Sequence, residues 1–178
     1  MAHGQLSQKK IKHIKTWRRG RIKTPPFLFS VNIIMKYNRE VYHEPLRQVI
    51  KETSVETGYV LPVQIEMYVI ELLVYYIDRP NFLPEQTFTE SLYKLDHRSS
   101  FSAKDLGDTC LFVTGVFPKY GKKYGLNKSY YKNIGKTSYD QASRILNHEL
   151  FSALCTHFEV IGKFINKATN LRQTPLIG

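Results

Sequence analysis

SAKDLGDTCLFVTGVF, residues 102–117, is the stretch that decides between an all-helical and a mixed fold. Ser102 and Asp105 resemble the capping box that opens many helices. The second half, CLFVTGVF, is rich in β-branched and aromatic residues, so it is also compatible with a strand. The capping pair and an unbroken 3.6-residue apolar spacing favour a helix. That spacing is carried by Ala103, Leu106, Cys110, Val113 and Phe117.

Further helix signals occur on both sides of this segment. Pro45 at a first helical position and Gly58 just past the end predict a helix from about residue 45 to 57. Pro62 opens another that runs to Asp78, is apolar nearly all round and is therefore expected to be central. The remaining helices are predicted to open near Pro84, to follow a cap at Asn127, and to run from about Glu149 to Ala168.

Two of these helices have a clear inward face. The fifth is expected to bury Tyr131, Ile134, Ser138, Ala142 and Ile145, and the sixth Leu150, Leu154, Phe158, Ile161 and Ile165. With the third helix contributing Phe88, Leu92 and Leu95, the sequence predicts an all-α, single-domain bundle of about six helices. The helical domain is assigned to residues 35–168.

The two ends of the chain differ from this body in composition. Residues 1–34 are predicted to be a flexible, disordered basic arm, because residues 1–24 carry eight Lys or Arg and no acid. Met35 is an alternative native start, in which case the arm is a non-native extension; a leader of this composition is also compatible with organellar targeting. Residues 169–178 lack periodicity and are predicted to be a flexible tail.

The net charge of +11 is concentrated in two segments. Residues 1–24 contribute +8 and residues 119–144 contribute +6, whereas residues 25–118 contribute −4. The segment KYGKKYGLNKSYYKNIGK places lysines among Tyr120, Tyr124, Tyr130 and Tyr131. Tyrosines in such a segment can stack on bases, but the Tyr131 side of the helix is expected to be core, which removes part of that platform. The candidate anion or nucleic-acid contacts are Lys119, Lys122, Lys123, Lys128, Lys132, Lys136, Arg18, Arg19 and Arg21. The alternative is a solvated helix face.

Gly135-Lys136-Thr137 has the last three letters of a phosphate-binding loop. The first glycine of that motif would fall at position 130, which is Tyr130, and the triplet lies inside the predicted fifth helix. Backbone N–H groups there are already bonded and cannot hold a phosphate. Gly135 is therefore interpreted as a point where a neighbouring helix approaches closely.

No metal, cofactor or catalytic group is predicted. His148-Glu149 begins like a zinc-protease helix, but Ser152 occupies the second histidine position. Asp96, His97, Asp105 and Asp108 are interpreted as helix caps in contact with water. Glu66 points away from the polar stripe of its helix and is interpreted as partly solvated near the helix N-terminus. An enzyme would need Asp108, His97 and Glu66 within hydrogen-bonding reach of one another.

The apolar runs and the cysteines bear on localisation. The longest apolar stretch, from Leu61 to Ile77, contains Glu66 and Glu71 and is too short and too acidic for a transmembrane segment. Cys110 and Cys155 both lie in apolar runs and are interpreted as reduced core residues. A cytoplasmic protein is the resulting prediction.

Ten positions carry a resemblance to a known family. They are Gly107, Asp108, Cys110, Leu111, Phe117, Pro118, Tyr130, Tyr131, Gly135 and Tyr139. Over roughly residues 40–165 the chain resembles a family of small, uncharacterised all-helical proteobacterial proteins with no known activity. The resemblance implies a helical cytoplasmic protein and carries no catalytic residue.

The functional prediction is a non-enzymatic helical binding or adaptor protein that acts by protein–protein contact or self-association. It depends on the apolar second helix and on the tyrosine-rich surface. The alternative is binding of nucleic acid, or another polyanion, through the basic arm and the Lys/Tyr-rich segment 119–136.

Overall fold

A computed structural model describes residues 40–77, 79, 87–93, 100–127 and 129–170. Within these ranges it contains helices and no strand, so the predicted all-α bundle is confirmed. The six α-helices are α1 Glu40–Thr57, α2 Val63–Ile77, α3 Phe88–Tyr93, α4 Ser100–Val116, α5 Ser129–Leu146 and α6 Glu149–Asn170. A short 3₁₀ helix, Tyr120–Tyr124, lies between α4 and α5. The predicted arm and nearly all of the tail, residues 171–178, lie outside the described residues.

Helix α1 begins at Glu40, five residues before the predicted start, and Pro45 lies inside it. A proline so close to a helix N-terminus removes only the bond from its own nitrogen to the carbonyl one turn earlier. Tyr42 is 1% exposed, so its burial stabilises the extra turn. The sequence signal of proline at the first helical position was therefore wrong here by more than a turn.

Helix α4, and not α2, is the central helix of the bundle. Every residue from Leu106 to Val113 is buried, which gives α4 no exposed face over two turns. Helix α2 leaves Val63, Met67 and Glu71 exposed along one side. The prediction that α2 is central was wrong because composition does not reveal that the polar residues of α4 have partners inside the fold. The strand alternative for CLFVTGVF was also wrong, since α4 runs to Val116.

Helices α4, α5 and α6 pack closely because glycines lie where they meet. A Cβ atom on Gly135 of α5 would lie 2.5 Å from two ring carbons of Phe158 on α6 and 2.9 Å from Cβ of Cys110 on α4. A Cβ atom on Gly115 of α4 would lie 2.6 Å from Cγ2 of Ile165 on α6. The interpretation of Gly135 as a point of close helix approach is confirmed.

The α1–α2 hairpin docks on this three-helix core through polar and aromatic contacts. Nζ of Lys167 on α6 lies 2.6 Å from Oε1 of Glu56 on α1. The rings of Tyr59 and Phe164 meet edge to face at 6.4 Å between centroids. These contacts tie the turn of the hairpin to the C-terminal half of α6, and buried residues of all six helices form one hydrophobic cluster.

Of the two predicted helix caps, one is confirmed and the other is wrong. The predicted cap at Asn127 is confirmed, because its Oδ1 accepts a bond of 3.1 Å from the backbone N–H of Ser129. The capping box at Ser102 was wrong, since α4 begins at Ser100. A reciprocal box instead opens α3, where the N–H of Thr87 donates to Glu90 at 3.0 Å and the N–H of Glu90 donates to the Thr87 hydroxyl at 3.1 Å.

The predicted inward faces are largely confirmed. The buried members are Ala103, Leu106, Cys110 and Val113 of α4, Tyr131, Ile134, Ser138 and Ala142 of α5, Leu154, Phe158, Ile161 and Ile165 of α6, and Phe88 of α3. Leu92, Phe117, Ile145 and Leu150 are half-buried, and Leu95 lies outside the described residues. None of the helices in the described ranges combines the length and the hydropathy that a membrane crossing needs.

Candidate functional site

A buried carboxylate, Asp108, is the hub of a polar cluster at the centre of the bundle. Its side chain is 8% exposed. Oδ1 accepts a hydrogen bond of 2.5 Å from the hydroxyl of Tyr68 and one of 2.7 Å from the hydroxyl of Tyr139. Oδ2 accepts a bond of 2.6 Å from Nζ of Lys104. We call these four residues the Asp108 cluster.

Three helices supply the cluster, and their packing explains its geometry. Lys104 lies one turn before Asp108 on α4, so the two side chains share a face. Tyr68 comes from α2 and Tyr139 from α5. The Tyr139 ring reaches Asp108 because Gly107 has no side chain, and a Cβ atom there would lie 2.7 Å from Cδ1 of the ring. The cluster thus joins α2 and α5 to the central helix.

Burial keeps the tyrosines of this region protonated. Desolvation raises the pKa of Tyr139 well above its usual value, and the neighbouring Asp108 charge raises it further. Desolvation followed by the Asp108 charge does the same to the pKa of Tyr68. Both side chains therefore act as hydroxyl donors to the carboxylate at neutral pH. Their donation and the Lys104 ammonium offset the cost of burying the carboxylate.

A second polar link lies one residue further along α4. The hydroxyls of Tyr76 on α2 and Thr109 are 2.9 Å apart, and Thr109 also donates to the backbone carbonyl of Asp105 at 2.8 Å. The Tyr76 ring stacks on Phe112 with 4.4 Å between centroids. Helix α2 is therefore fastened to α4 at two successive points.

Asp108 was expected to cap a helix and stay in water, and that interpretation was wrong. Asp105 is half-buried, and desolvation raises its pKa. Asp96 and His97 lie outside the described residues. Glu66 is half-buried at the start of α2, as expected. In the described part of the chain no three His, Cys, Asp or Glu side chains group as metal ligands would. The spacing of Lys104 and Asp108 within an apolar helix is the signal that sequence reasoning missed.

The predicted anion contacts that the structure describes differ in exposure. Lys119 and Lys122 are exposed on the 3₁₀ segment. Lys132 and Lys136 are half-buried on α5, on the side that faces α6, and Nζ of Lys132 lies 3.6 Å from Oε2 of Glu159. Arg18, Arg19, Arg21 and Lys128 lie outside the described residues, as does the side chain of Lys123.

The tyrosines beside these lysines pack against one another. Tyr131 lies with its ring centroid 5.0 Å from that of Tyr130 and 6.2 Å from that of Tyr120. The Tyr120 ring in turn meets Tyr124 at 5.7 Å, and the Tyr130 hydroxyl lies 2.9 Å from that of Thr89 on α3. Tyr120 and Tyr131 are buried, so their faces are not available for bases. Tyr124 and Tyr130 are half-buried.

Two other sequence motifs have structural explanations. His148 is exposed, and its Nδ1 accepts a bond of 3.1 Å from the backbone N–H of Leu150, so the His148-Glu149 pair opens α6. The triplet beginning at Gly135 lies inside α5, as predicted. Cys110 and Cys155 are both free thiols; Cys110 is buried, whereas Cys155 is half-buried near Asp140 and Lys136. Desolvation raises the pKa of both thiols.

Comparison with protein-family models, with curated proteins and with solved structures found no match to this chain. The resemblance to a proteobacterial family therefore stays a prediction from its ten positions. Several of those positions, among them Gly107, Asp108, Gly135 and Tyr139, meet at the α4–α5 contact. They share a packing role in this chain.

Proposed function

We propose that this protein is a non-enzymatic helical binding protein, and that it acts by contact with a second copy of itself. The observation that supports the proposal is the distribution of exposed apolar side chains. Of the nine large exposed ones in the described residues, six belong to the α1–α2 hairpin. They are Val41, Val55, Tyr59, Val60, Val63 and Met67.

Three of these residues form a narrow apolar seam along the start of α2. Val63 and Met67 lie one turn apart on α2 and are 72% and 59% exposed, and Val60, which is 74% exposed, lies in the connection just before the helix. The seam continues to Glu71, whose Oε1 lies 3.5 Å from Nδ1 of His43 on α1. An exposed apolar seam is suited to contact with the same seam on a second copy, which is how two-fold dimers bury such surfaces.

The Asp108 cluster supports a binding role over a catalytic one. Both carboxylate oxygens accept bonds from side chains of the protein itself, and the two tyrosine hydroxyls are donors in those bonds. A general acid or base needs a free position toward its substrate. The free thiols further support a reducing, cytoplasmic location as part of the same proposal.

Self-association should depend on the α2 seam. We expect the molar mass from light scattering to rise with concentration toward that of a dimer, and the double variant Val63→Glu/Met67→Glu to remain monomeric. Two buried carboxylates on each copy would oppose contact because an unpaired charge is costly to desolvate. The measurement is size-exclusion chromatography with light scattering over about a hundredfold range of concentration, which shifts a mass-action equilibrium.

The control is Tyr93→Glu, which changes a residue that is 85% exposed on α3, outside the hairpin. It should dimerise like the unmodified protein. Self-association through α2 would be overturned if the unmodified protein stays monomeric at every concentration. It would also be overturned if the seam variant dimerises normally.

Polyanion binding is the second candidate, supported by the exposed Lys119 and Lys122. Affinity for nucleic acid should fall steeply with salt because each neutralised phosphate releases counterions. We expect Lys122→Glu to lower the slope of log affinity against log salt by about 1. The exposed Lys163 on α6 offers the matched control Lys163→Glu, for which the slope should stay unchanged. Affinity that is independent of salt would remove this candidate.

A further inference from the structure

The three sulfur atoms in the part of the chain that the structure describes differ in their access to solvent. Cys110 is buried and Cys155 is half-buried, and both are free thiols. Met67 on α2 is 59% exposed. Among these three side chains, the thioether of Met67 is therefore the one that an oxidant in solution meets most directly.

Thiols and thioethers also differ in what their oxidation requires. A thiol reacts with peroxide as the thiolate, and desolvation raises the pKa of both Cys110 and Cys155, which keeps these thiols protonated at neutral pH. A thioether has no proton to lose, so its sulfur is oxidised without prior ionisation. Met67 thus combines access with a reactivity that does not depend on pH.

Met67 is the last apolar residue of the α2 seam, one turn after Val63 and one turn before Glu71. Its unbranched, flexible side chain can adapt to an irregular apolar surface, as methionine does at many binding sites. Oxidation to the sulfoxide converts this side chain into a polar one that carries a hydrogen-bond acceptor. The valine and methionine side chains of the seam on a second copy donate no hydrogen bond to that oxygen.

We propose that oxidation of Met67 by a peroxide is a reversible switch that separates the two copies of the protein. This inference rests on the proposed self-association through the α2 seam. In the step, the O–O bond of the peroxide breaks and one oxygen forms a bond to the Met67 sulfur, which loses two electrons. With hydrogen peroxide, the other oxygen leaves as water. Methionine sulfoxide reductases reverse the step with a dithiol, which becomes a disulfide while the oxygen leaves as water.

The exposed position of Met67 makes the switch act on association and not on the fold. In a single copy the sulfoxide oxygen meets water, so the buried side chains of the bundle are not disturbed. In the dimer the same oxygen loses its water without gaining a donor. We expect the dissociation constant of the dimer to rise about tenfold for each sulfoxide buried, and so about a hundredfold for the two copies.

Dimer formation should in turn protect Met67 from the oxidant, because the contact covers its sulfur. The rate of oxidation at a fixed peroxide concentration is expected to fall as the protein concentration rises through the range in which the dimer forms. Peptide mass spectrometry measures this rate from the added oxygen on the peptide that contains Met67.

The test treats the full-length protein with hydrogen peroxide and follows its molar mass by light scattering before and after. The control variant Met67→Leu keeps a similar volume, cannot form a sulfoxide and retains both cysteines, Met1 and Met35. It should stay dimeric after the same treatment. Met67→Gln places a permanently polar side chain at this position and should be monomeric without oxidant. Treatment of the oxidised, unmodified protein with methionine sulfoxide reductases should restore the dimer.

Failure of the switch and failure of self-association give different results. A reduced protein that is monomeric at every concentration overturns both. A reduced protein that dimerises, and remains dimeric with Met67 fully oxidised, overturns the switch alone. So does a Met67→Leu variant that dissociates on peroxide treatment as the unmodified protein does. A lower free energy of unfolding after oxidation, measured by urea denaturation at a concentration where the protein is monomeric, would also overturn it, since the oxidation would then act on the fold.

Discussion

Replacing Asp108 by alanine is expected to lower the free energy of unfolding by about 3 kcal/mol, the lower end of the range for breaking a buried charge pair. The carboxylate holds the hydroxyls of Tyr68 and Tyr139 and the ammonium of Lys104. Without it, two buried hydroxyls lose their acceptor, at about 1–3 kcal/mol each. Lys104 adds less, because its side chain is 36% exposed and reaches water. Urea denaturation measures the change.

Asp105→Ala is the matched control, since Asp105 is an aspartate on the same helix, three residues away, and only half-buried. Its effect should stay within about 0.5 kcal/mol, as for most substitutions near a surface. Tyr139→Phe removes one donor and should cost about 1 kcal/mol, the usual net value of a hydrogen bond. Equal losses for Asp108→Ala and Asp105→Ala would contradict the hub role of Asp108.

Gly135→Ala is expected to lower the free energy of unfolding by about 2 kcal/mol, although alanine alone would favour the helix by about 1 kcal/mol. The added methyl would lie 2.5 Å from the Phe158 ring and 2.9 Å from Cβ of Cys110. Carbon atoms at rest are about 3.5–4.0 Å apart, and both neighbours are fully buried. Helices α4 and α6 must therefore separate locally from α5.

Thr137→Ala serves as the control for helix propensity, because Thr137 is exposed two residues further along α5. It should be neutral or slightly stabilising in thermal denaturation. If Gly135→Ala were as stable as Thr137→Ala, the close approach of the three helices at Gly135 would be wrong.

The helices could be predicted because their signals are local. Apolar spacing on α5 and α6 identified Tyr131, Ile134, Leu154 and Phe158 as buried, since only one face of each helix meets the core. The start of α1 was missed because burial of Tyr42 outweighs the local signal of Pro45. Helix boundaries depend on tertiary contacts that a short window of sequence does not contain.

The Asp108 cluster was not predicted from the sequence, for a related reason. An aspartate is usually exposed, and nothing in the residues around Asp108 shows that tyrosines 40 and 31 positions away will meet it. The Lys/Tyr-rich segment 119–136 could be identified from the sequence, because the charges of neighbouring residues can be summed directly. Tyr131 was expected to be buried, whereas Tyr120 was assigned to a surface and the fold places it inside.

The sequence by itself determined the helical class, the close packing at Gly135 and the concentration of charge in residues 1–24 and 119–144. These properties follow from composition and from the helical period, which are properties of neighbours in the chain. Only the tertiary structure decided that α4 is central, that Asp108 is buried with two tyrosines and a lysine, and that apolar side chains stay exposed on α2. Each of these depends on which helix faces which, and that is fixed by the fit of side chains between distant segments.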